Sequence, residues 1–137
     1  MDFAKRMGYR KLGVATCLAL IQETSILTKI LETRGFEVIS VCCKCGDIPK
    51  EEVGLLDSEK MMPGGFEPAC NTVGQAFILN DAKTDLNIIM GLCVGHDALF
   101  IKHSEVQVPV LVTKAGARSI IRPHPFTGLT RSISGIC

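Results

Sequence analysis

The hydrophobic positions of the chain fall into short runs, and helical or irregular segments separate these runs. Residues 2–7 are amphipathic and predicted to be helical, and the apolar run 11–17 that follows predicts a first strand. Apolar residues at helical spacing predict a helix over residues 18–34, which Gly35 ends, and the run 36–43 predicts a second strand. A strand, a helix of this length and a second strand form a right-handed βαβ unit with parallel strands.

A long interruption follows the second strand. Proline and glycine break the periodicity of residues 47–69, which predicts an extended loop with one helical turn at residues 50–53. Residues 70–80 are then predicted to form a helix that Asn71 or Thr72 caps.

The last predicted elements complete a sheet. Residues 85–93 are apolar enough to form a strand that is buried on both faces. A short helix over residues 97–103 and a fourth strand over residues 108–113 follow. This order predicts an α/β fold, namely a Rossmann-like three-layer α/β/α domain with a mostly parallel sheet of four to five strands. We expect a single domain over residues 1–114 and an irregular C-terminal tail over residues 115–137.

Composition and charge narrow the class of protein. A hydrophobic fraction of 47%, a charged fraction of 21% and a net charge of +1 are typical of a globular protein without a surface for nucleic acid or acidic lipid. No apolar run reaches the ~18 residues that a membrane span requires, so no membrane association is predicted. The first residues have no signal-peptide core, which predicts a cytoplasmic location. A homo-oligomer and an unknown small-molecule ligand both stay open.

Cysteine is the residue type that stands out. The chain has seven, an odd number, and without an export signal this argues against a disulfide framework. Such cysteines are metal ligands, reactive thiols or small core residues. They are Cys17, Cys42, Cys43, Cys45, Cys70, Cys93 and Cys137.

The predicted elements bring six of these cysteines and one histidine to one edge of the sheet. Cys17 ends the first strand, Cys42, Cys43 and Cys45 end the second, Cys93 ends the third with His96 behind it, and Cys70 lies just before the helix that Asn71 or Thr72 caps. That helix leads into a parallel strand, so it begins on the carboxyl side of the sheet. In open parallel sheets, ligands bind at this side.

Thiolates and imidazoles are the donors that zinc or an iron–sulfur cluster prefers. The ligands could be Cys43 with Cys45 and Cys93 with His96, completed by Cys17 or Cys70. The paired CxxC motifs of common metal sites are absent. Core packing is an equally good explanation of Cys17, which closes an apolar strand.

Thiol chemistry is the alternative to metal binding. Side-chain alternation allows at most one of Cys42 and Cys43 to face the site. A helix N-terminus lowers the pKa of a nearby thiol, so Cys70 is a candidate nucleophile, as is Cys93, with His96 as the base.

Five motifs carry a resemblance to a known family. They are FAKRMGYRKLG at 3–13, VCCK at 41–44, FEPACN at 66–71, TDLN at 84–87 and GLCVGHD at 91–97. Over about residues 3–114 the chain resembles a family of uncharacterised prokaryotic metal-binding proteins, catalogued as a domain of unknown function. The resemblance implies metal binding without an established reaction. It favours as site residues Cys17, Cys42, Cys43, Cys70, Cys93 and His96.

The chain departs from that family at two places. Members carry a cysteine-rich segment ahead of the region that matches residues 3–13, and this sequence lacks it, so ligands from that segment are not expected here. The tail also lacks the family's Gly-His-Asn-Pro-like turn, which suggests the hypothesis of a truncated or frame-shifted gene end.

Three functions follow from these observations. The first is a cytoplasmic metal-binding protein of unknown reaction, with a Cys/His site for zinc or an iron–sulfur cluster at the carboxyl ends of the strands. The alternative is a thiol-dependent redox enzyme, or another cysteine-nucleophile enzyme, that uses Cys93 or Cys70 with His96. The third is a non-catalytic module whose thiols only pack.

Overall fold

Four parallel strands form the centre of the fold. They are β1 (Lys11–Thr16), β2 (Glu37–Cys42), β3 (Leu86–Met90) and β4 (Val110–Val112). Their order in the sheet is β2-β1-β3-β4, and every neighbouring pair is parallel. The structure is a computed structural model that describes residues 1–114, so the predicted tail lies outside the described residues. The predicted α/β fold with a parallel sheet of four strands is confirmed.

Helices follow the strands in the predicted order. They are α1 (Asp2–Arg6), α2 (Ile21–Thr33), α3 (Thr72–Asp81) and α4 (His96–His103). A 3₁₀ turn over Leu18–Leu20 precedes α2, and two further 3₁₀ turns, Lys50–Val53 and Asp57–Glu59, lie in the long loop. Within residues 1–114, no helix has the length and apolar character needed to cross a membrane.

Alternation along the strands separates two apolar layers. Leu12 of β1 contacts Leu31 of α2 and Leu86 of β3 in the layer that α1 and α2 cover. Ala15, three residues further along β1, lies in the other layer with Ala76 of α3. Because side chains alternate between faces, β1 continues this second pattern into Cys17, and β2 continues it into Cys43. The three-layer arrangement therefore places both cysteines on the face that α3 covers.

A buried glutamine joins α3 to the carboxyl ends of β1 and β2. Gln75 is fully buried, and its Nε2 donates hydrogen bonds to the carbonyl of Thr16 at 3.2 Å and the carbonyl of Val41 at 2.6 Å. Each carbonyl belongs to a residue close to a cysteine, since Thr16 precedes Cys17 and Val41 lies two residues before Cys43. Gln75 therefore fixes the backbone from which these two thiols project.

The predicted loop between β2 and α3 is closed on itself rather than extended. The backbone N–H of Ala69 donates to the carbonyl of Ile48 at 2.7 Å, which joins the two ends of the loop. In its interior, the buried ammonium of Lys60 forms ion pairs with Glu51 at 2.5 Å and Asp57 at 2.8 Å. This closure returns the chain to the edge of the sheet at Cys70.

The third strand is shorter than its apolar run suggests. It ends at Met90, because Gly91 adopts a φ of 65° and leaves the extended conformation. A Cβ atom at Gly91 would also lie 2.2 Å from the Leu20 side chain. As a result, Cys93 lies in the turn between β3 and α4 rather than in the strand.

Candidate thiol site at the carboxyl edge of the sheet

The sheet order defines where a ligand would bind. β1 lies between β2 and β3, so the chain leaves β1 toward β2 on one side and later adds β3 on the other. In doubly wound folds, this switch between neighbouring strands opens a crevice at the carboxyl edge. Cys17 follows β1 directly, and Cys93 lies three residues after the end of β3, so the two cysteines flank this crevice.

Cys17 is a buried thiol at the start of a helical segment. It occupies the N-cap position of the 3₁₀ turn that leads into α2, and only 6% of its surface is exposed. The backbone N–H of Ala19 lies close enough to help lower the pKa of this thiol. Free N–H groups at a helix N-terminus favour negative charge, so this position stabilises a thiolate.

Cys43 lies at the centre of the cluster. Its Sγ accepts the backbone N–H of Leu18 at 3.4 Å, and the side chain of Cys17 lies close enough to raise its pKa. The Sγ atoms of Cys43 and Cys70 are 4.0 Å apart. Cys43 therefore interacts with both Cys17 and Cys70.

Cys70 is the exposed member of this set. It lies immediately before Asn71, whose Oδ1 caps α3 by accepting the Gly74 N–H at 2.8 Å. The backbone N–H of Asn71 donates to the carbonyl of Cys43 at 2.7 Å. Lys44 adds a second connection, since its ammonium donates to the carbonyl of Pro68 at 2.6 Å. The turn after β2 and the start of α3 are therefore held side by side.

Two of the three thiols have a lowered pKa, and the third has a raised pKa. Hydrogen bonding from Cys43 lowers the pKa of Cys17 to about 5, with help from the Ala19 N–H and Lys114. The neighbouring Cys43 side chain likewise lowers the pKa of Cys70 to about 5, with help from the charges of Lys44 and His96. The single S–H of Cys43 can donate to only one of the two sulfurs at a time. The pKa of Cys43 itself is raised, because both neighbours and its burial favour the protonated thiol. The cluster therefore has thiolate character at neutral pH.

A lysine joins Cys17 to Cys93. The ammonium of Lys114 lies 3.4 Å from the Sγ of Cys17 and 3.4 Å from the Sγ of Cys93, and the residue is 9% exposed. Burial alone lowers the pKa of Lys114, but the two sulfurs outweigh this effect and raise it. Lys114 was not predicted from the sequence. The only signal was a lysine just beyond an apolar strand, at the edge where the cysteines gather.

His96 is the last candidate residue beside these thiols. It is the first residue of α4, it is half-buried, and its charge contributes to the lowered pKa of Cys70. Its backbone N–H donates to the carbonyl of Cys93 at 2.9 Å. Its neighbour Asp97 binds backbone groups at the start of α4, because its Oδ1 accepts the N–H groups of Gly95 at 2.9 Å and Ala98 at 2.8 Å.

Two of the candidate cysteines, Cys42 and Cys45, lie apart from these residues. Cys42 faces the α2 layer, where it lines a cavity of about 380 Å³ together with hydroxyl side chains such as Thr16 and Ser40. Cys45 donates through its Sγ to the carbonyl of Asn71 at 3.3 Å. Of Cys42 and Cys43, alternation therefore turns only Cys43 toward the site.

The remaining candidates lie around the crevice. Following the contacts, the arc comprises Cys93, Lys114, Cys17, Cys43, Cys70 and His96. Among residues 1–114, no group of three or more His, Cys, Asp or Glu side chains is already arranged to hold a metal ion.

Fold and site together define an α/β protein with thiols gathered at the carboxyl edge of a parallel sheet. The chain belongs to the family described as "Protein of unknown function (DUF1847)", which matches residues 1–111, and the resemblance to a family of unknown function is confirmed. It is 46% identical over 114 residues to "Uncharacterized protein MJ0455" of Methanocaldococcus jannaschii. That alignment covers 83% of this chain and 57% of the relative. No solved structure matches the chain.

Proposed function

We propose that the protein binds a single thiophilic metal ion, most simply zinc, through Cys17, Cys43 and Cys70. The observation that carries this proposal is the 4.0 Å separation of the Sγ atoms of Cys43 and Cys70, with Cys17 close enough to Cys43 for each thiol to shift the pKa of the other. Two thiolates on one tetrahedral zinc ion are separated by about 3.8 Å, given Zn–S bonds of about 2.3 Å. The spacing therefore suits two ligands of one ion.

The surroundings of the sulfurs support ligation. The backbone N–H of Leu18 donates to the sulfur of Cys43, and such donors orient and stabilise metal-bound thiolates. The lowered pKa values of Cys17 and Cys70 reduce the cost of deprotonating these two thiols on binding.

The turn between β3 and α4 would supply the fourth donor. Cys93 and His96 both lie there, and both border the arc of thiols. Lys114, between Cys17 and Cys93, would balance the negative charge of a site rich in thiolates. A bound ion would tie together the ends of β1, β2 and β3 and the start of α3.

One ion suits this arrangement better than a cubane iron–sulfur cluster. In such a cluster, each cysteine binds a different iron, so the cysteine sulfurs lie farther apart than two sulfurs on one metal. The contiguity of Cys17, Cys43 and Cys70 favours the mononuclear site.

Elemental analysis of protein purified without oxygen tests the proposal. We expect about one zinc ion per chain and no charge-transfer absorption from iron. Cys45→Ser is the matched control and is expected to keep the metal, because the thiol of Cys45 is engaged with the carbonyl of Asn71. Protein that holds no stoichiometric zinc, even after reconstitution under reducing conditions, would contradict the proposal.

A second candidate function is thiol catalysis by Cys70. Three observations favour it: Cys70 is exposed, its pKa is lowered to about 5, and His96 is close enough to contribute to that shift. An exposed thiolate at neutral pH is a competent nucleophile. Metal binding and catalysis differ in whether this thiolate stays free in the purified protein.

We expect the alkylation of Cys70 by iodoacetamide to be nearly independent of pH above neutrality in metal-free protein. A thiol with a pKa of about 5 is ionised at pH 7, so its rate is expected to fall only as the pH drops through 5. Residue-resolved mass spectrometry gives the rate, and Cys45, whose pKa is raised by burial, is the internal control. A rate for Cys70 that rises about tenfold per pH unit from 6 to 8, as for an ordinary thiol, would contradict the assignment.

A further inference from the structure

We propose that Cys43 and Cys70 form a reversible disulfide, which gives the thiol cluster a reduced and an oxidised state. The bond itself depends only on the geometry of the two residues. Its consequence for metal binding rests on the proposed function, because two of the three proposed thiolate ligands would be consumed.

The two side chains need only a small movement to react. Their sulfurs are 4.0 Å apart, and a disulfide requires about 2.05 Å. The backbone around them is already held together, because the Asn71 N–H donates to the carbonyl of Cys43 at 2.7 Å and Lys44 donates to the carbonyl of Pro68 at 2.6 Å. Side-chain rotation about the Cα–Cβ bonds can therefore close the gap without moving either segment.

Exposure selects this pair over the other neighbouring pair. Cys17 and Cys43 also shift the pKa of each other, but they are 6% and 2% exposed, so an oxidant in solution reaches neither. Cys70 is exposed and has Cys43 directly behind it. An exposed attacking thiolate backed by a buried second thiol is the arrangement typical of redox-responsive cysteines.

The oxidant would be a hydroperoxide. The Cys70 thiolate attacks the terminal peroxide oxygen, the O–O bond breaks, and a sulfenic acid forms as hydroxide or alkoxide leaves. The sulfur of Cys43 then attacks the sulfenyl sulfur, forming the S–S bond, while the departing hydroxide takes the Cys43 proton and leaves as water. Two sulfurs give up two electrons, and the peroxide takes them.

The oxidised bond would also fix the base of the long loop. Cys43 and Cys70 flank that loop, and the Ala69–Ile48 hydrogen bond already joins its ends. Closing the same position covalently preserves this geometry, so we expect oxidation to leave the fold unchanged while it removes the thiolates from the crevice.

Peroxide treatment of the metal-free chain, followed by thiol blocking and non-reducing peptide mapping, tests the inference. We expect a Cys43–Cys70 cross-linked peptide, the loss of two alkylatable thiols and full reversal by dithiothreitol. Cys70→Ser is expected to abolish the cross-link, and Cys45→Ser to retain it. Cys43→Ser is expected to leave Cys70 as a sulfenic acid that dimedone traps, a readout that does not require the disulfide.

Zinc binding before and after oxidation separates this inference from the proposed function. A cross-link in a protein that never binds zinc leaves the disulfide standing and removes the metal function. Zinc binding without any Cys43–Cys70 cross-link, or with a Cys17–Cys43 cross-link instead, overturns the inference and leaves the metal function standing.

Discussion

Replacing Cys43 with serine is expected to weaken zinc binding by at least about 100-fold, the upper end of what the loss of a supporting residue costs. Cys43 lies beside both of the other proposed ligands, since it lowers the pKa of Cys17 and its Sγ lies 4.0 Å from that of Cys70. A serine hydroxyl is a poor zinc ligand at neutral pH, so the variant keeps only two of the three proposed thiolate ligands. Competition with a chromophoric chelator measures the affinity.

Two controls make this result specific to the site. Cys45→Ser removes a thiol of the same turn that donates to a backbone carbonyl, and we expect its affinity to stay within about threefold of the parent chain. Circular dichroism reports whether the Cys43 variant keeps its fold. A folded Cys43→Ser protein with parental zinc affinity would exclude Cys43 as a ligand.

Replacing Gly13 with alanine is expected to destabilise the fold by about 3 kcal/mol. A Cβ atom at this position would lie 2.0 Å from Oδ1 of Asn87 and 2.9 Å from the side chain of Leu79. Asn87 is fully buried and cannot yield freely, because it accepts from Thr84 and donates to Ser104, both at 2.8 Å. The methyl group therefore breaks a satisfied polar network or pushes β1 away from β3.

Urea unfolding of both proteins measures this difference, and the slope of the transition should not change. Gly65→Ala is the matched control, because its Cβ would meet only ordinary contacts, the nearest at 3.4 Å from the Met62 carbonyl. We expect the control to change the free energy of unfolding by less than about 1 kcal/mol. Equal stability of the two variants would mean that β1 and Asn87 do not lie as close together as the structure shows.

The strand ends explain how far the candidate site could be predicted from the sequence. Parallel strands bring their carboxyl ends to one edge whatever their order, so Cys17, Cys43 and Cys93 could be assigned to that edge from periodicity alone. Alternation showed that only one of Cys42 and Cys43 faces the site. It could not tell which, because that depends on the layer that α3 covers.

Other features depend on tertiary contacts that leave no periodic signal. Lys114 reaches Cys17 and Cys93 only because β4 lies beside β3 and ends at the same edge. The ion pairs of the buried Lys60 join residues of an aperiodic segment, for which the sequence predicted only an extended loop. The contact between Cys43 and Cys70 depends on the closure of that loop, which the sequence did not predict.

The number of sulfur atoms bound to zinc is the most direct test of the proposed site. X-ray absorption at the zinc edge of the reconstituted protein measures it. We predict at least three sulfur neighbours at about 2.3 Å, and one fewer in Cys70→Ser. A zinc ion surrounded by oxygen and nitrogen, with one sulfur or none, would contradict the thiolate site at the edge of the sheet.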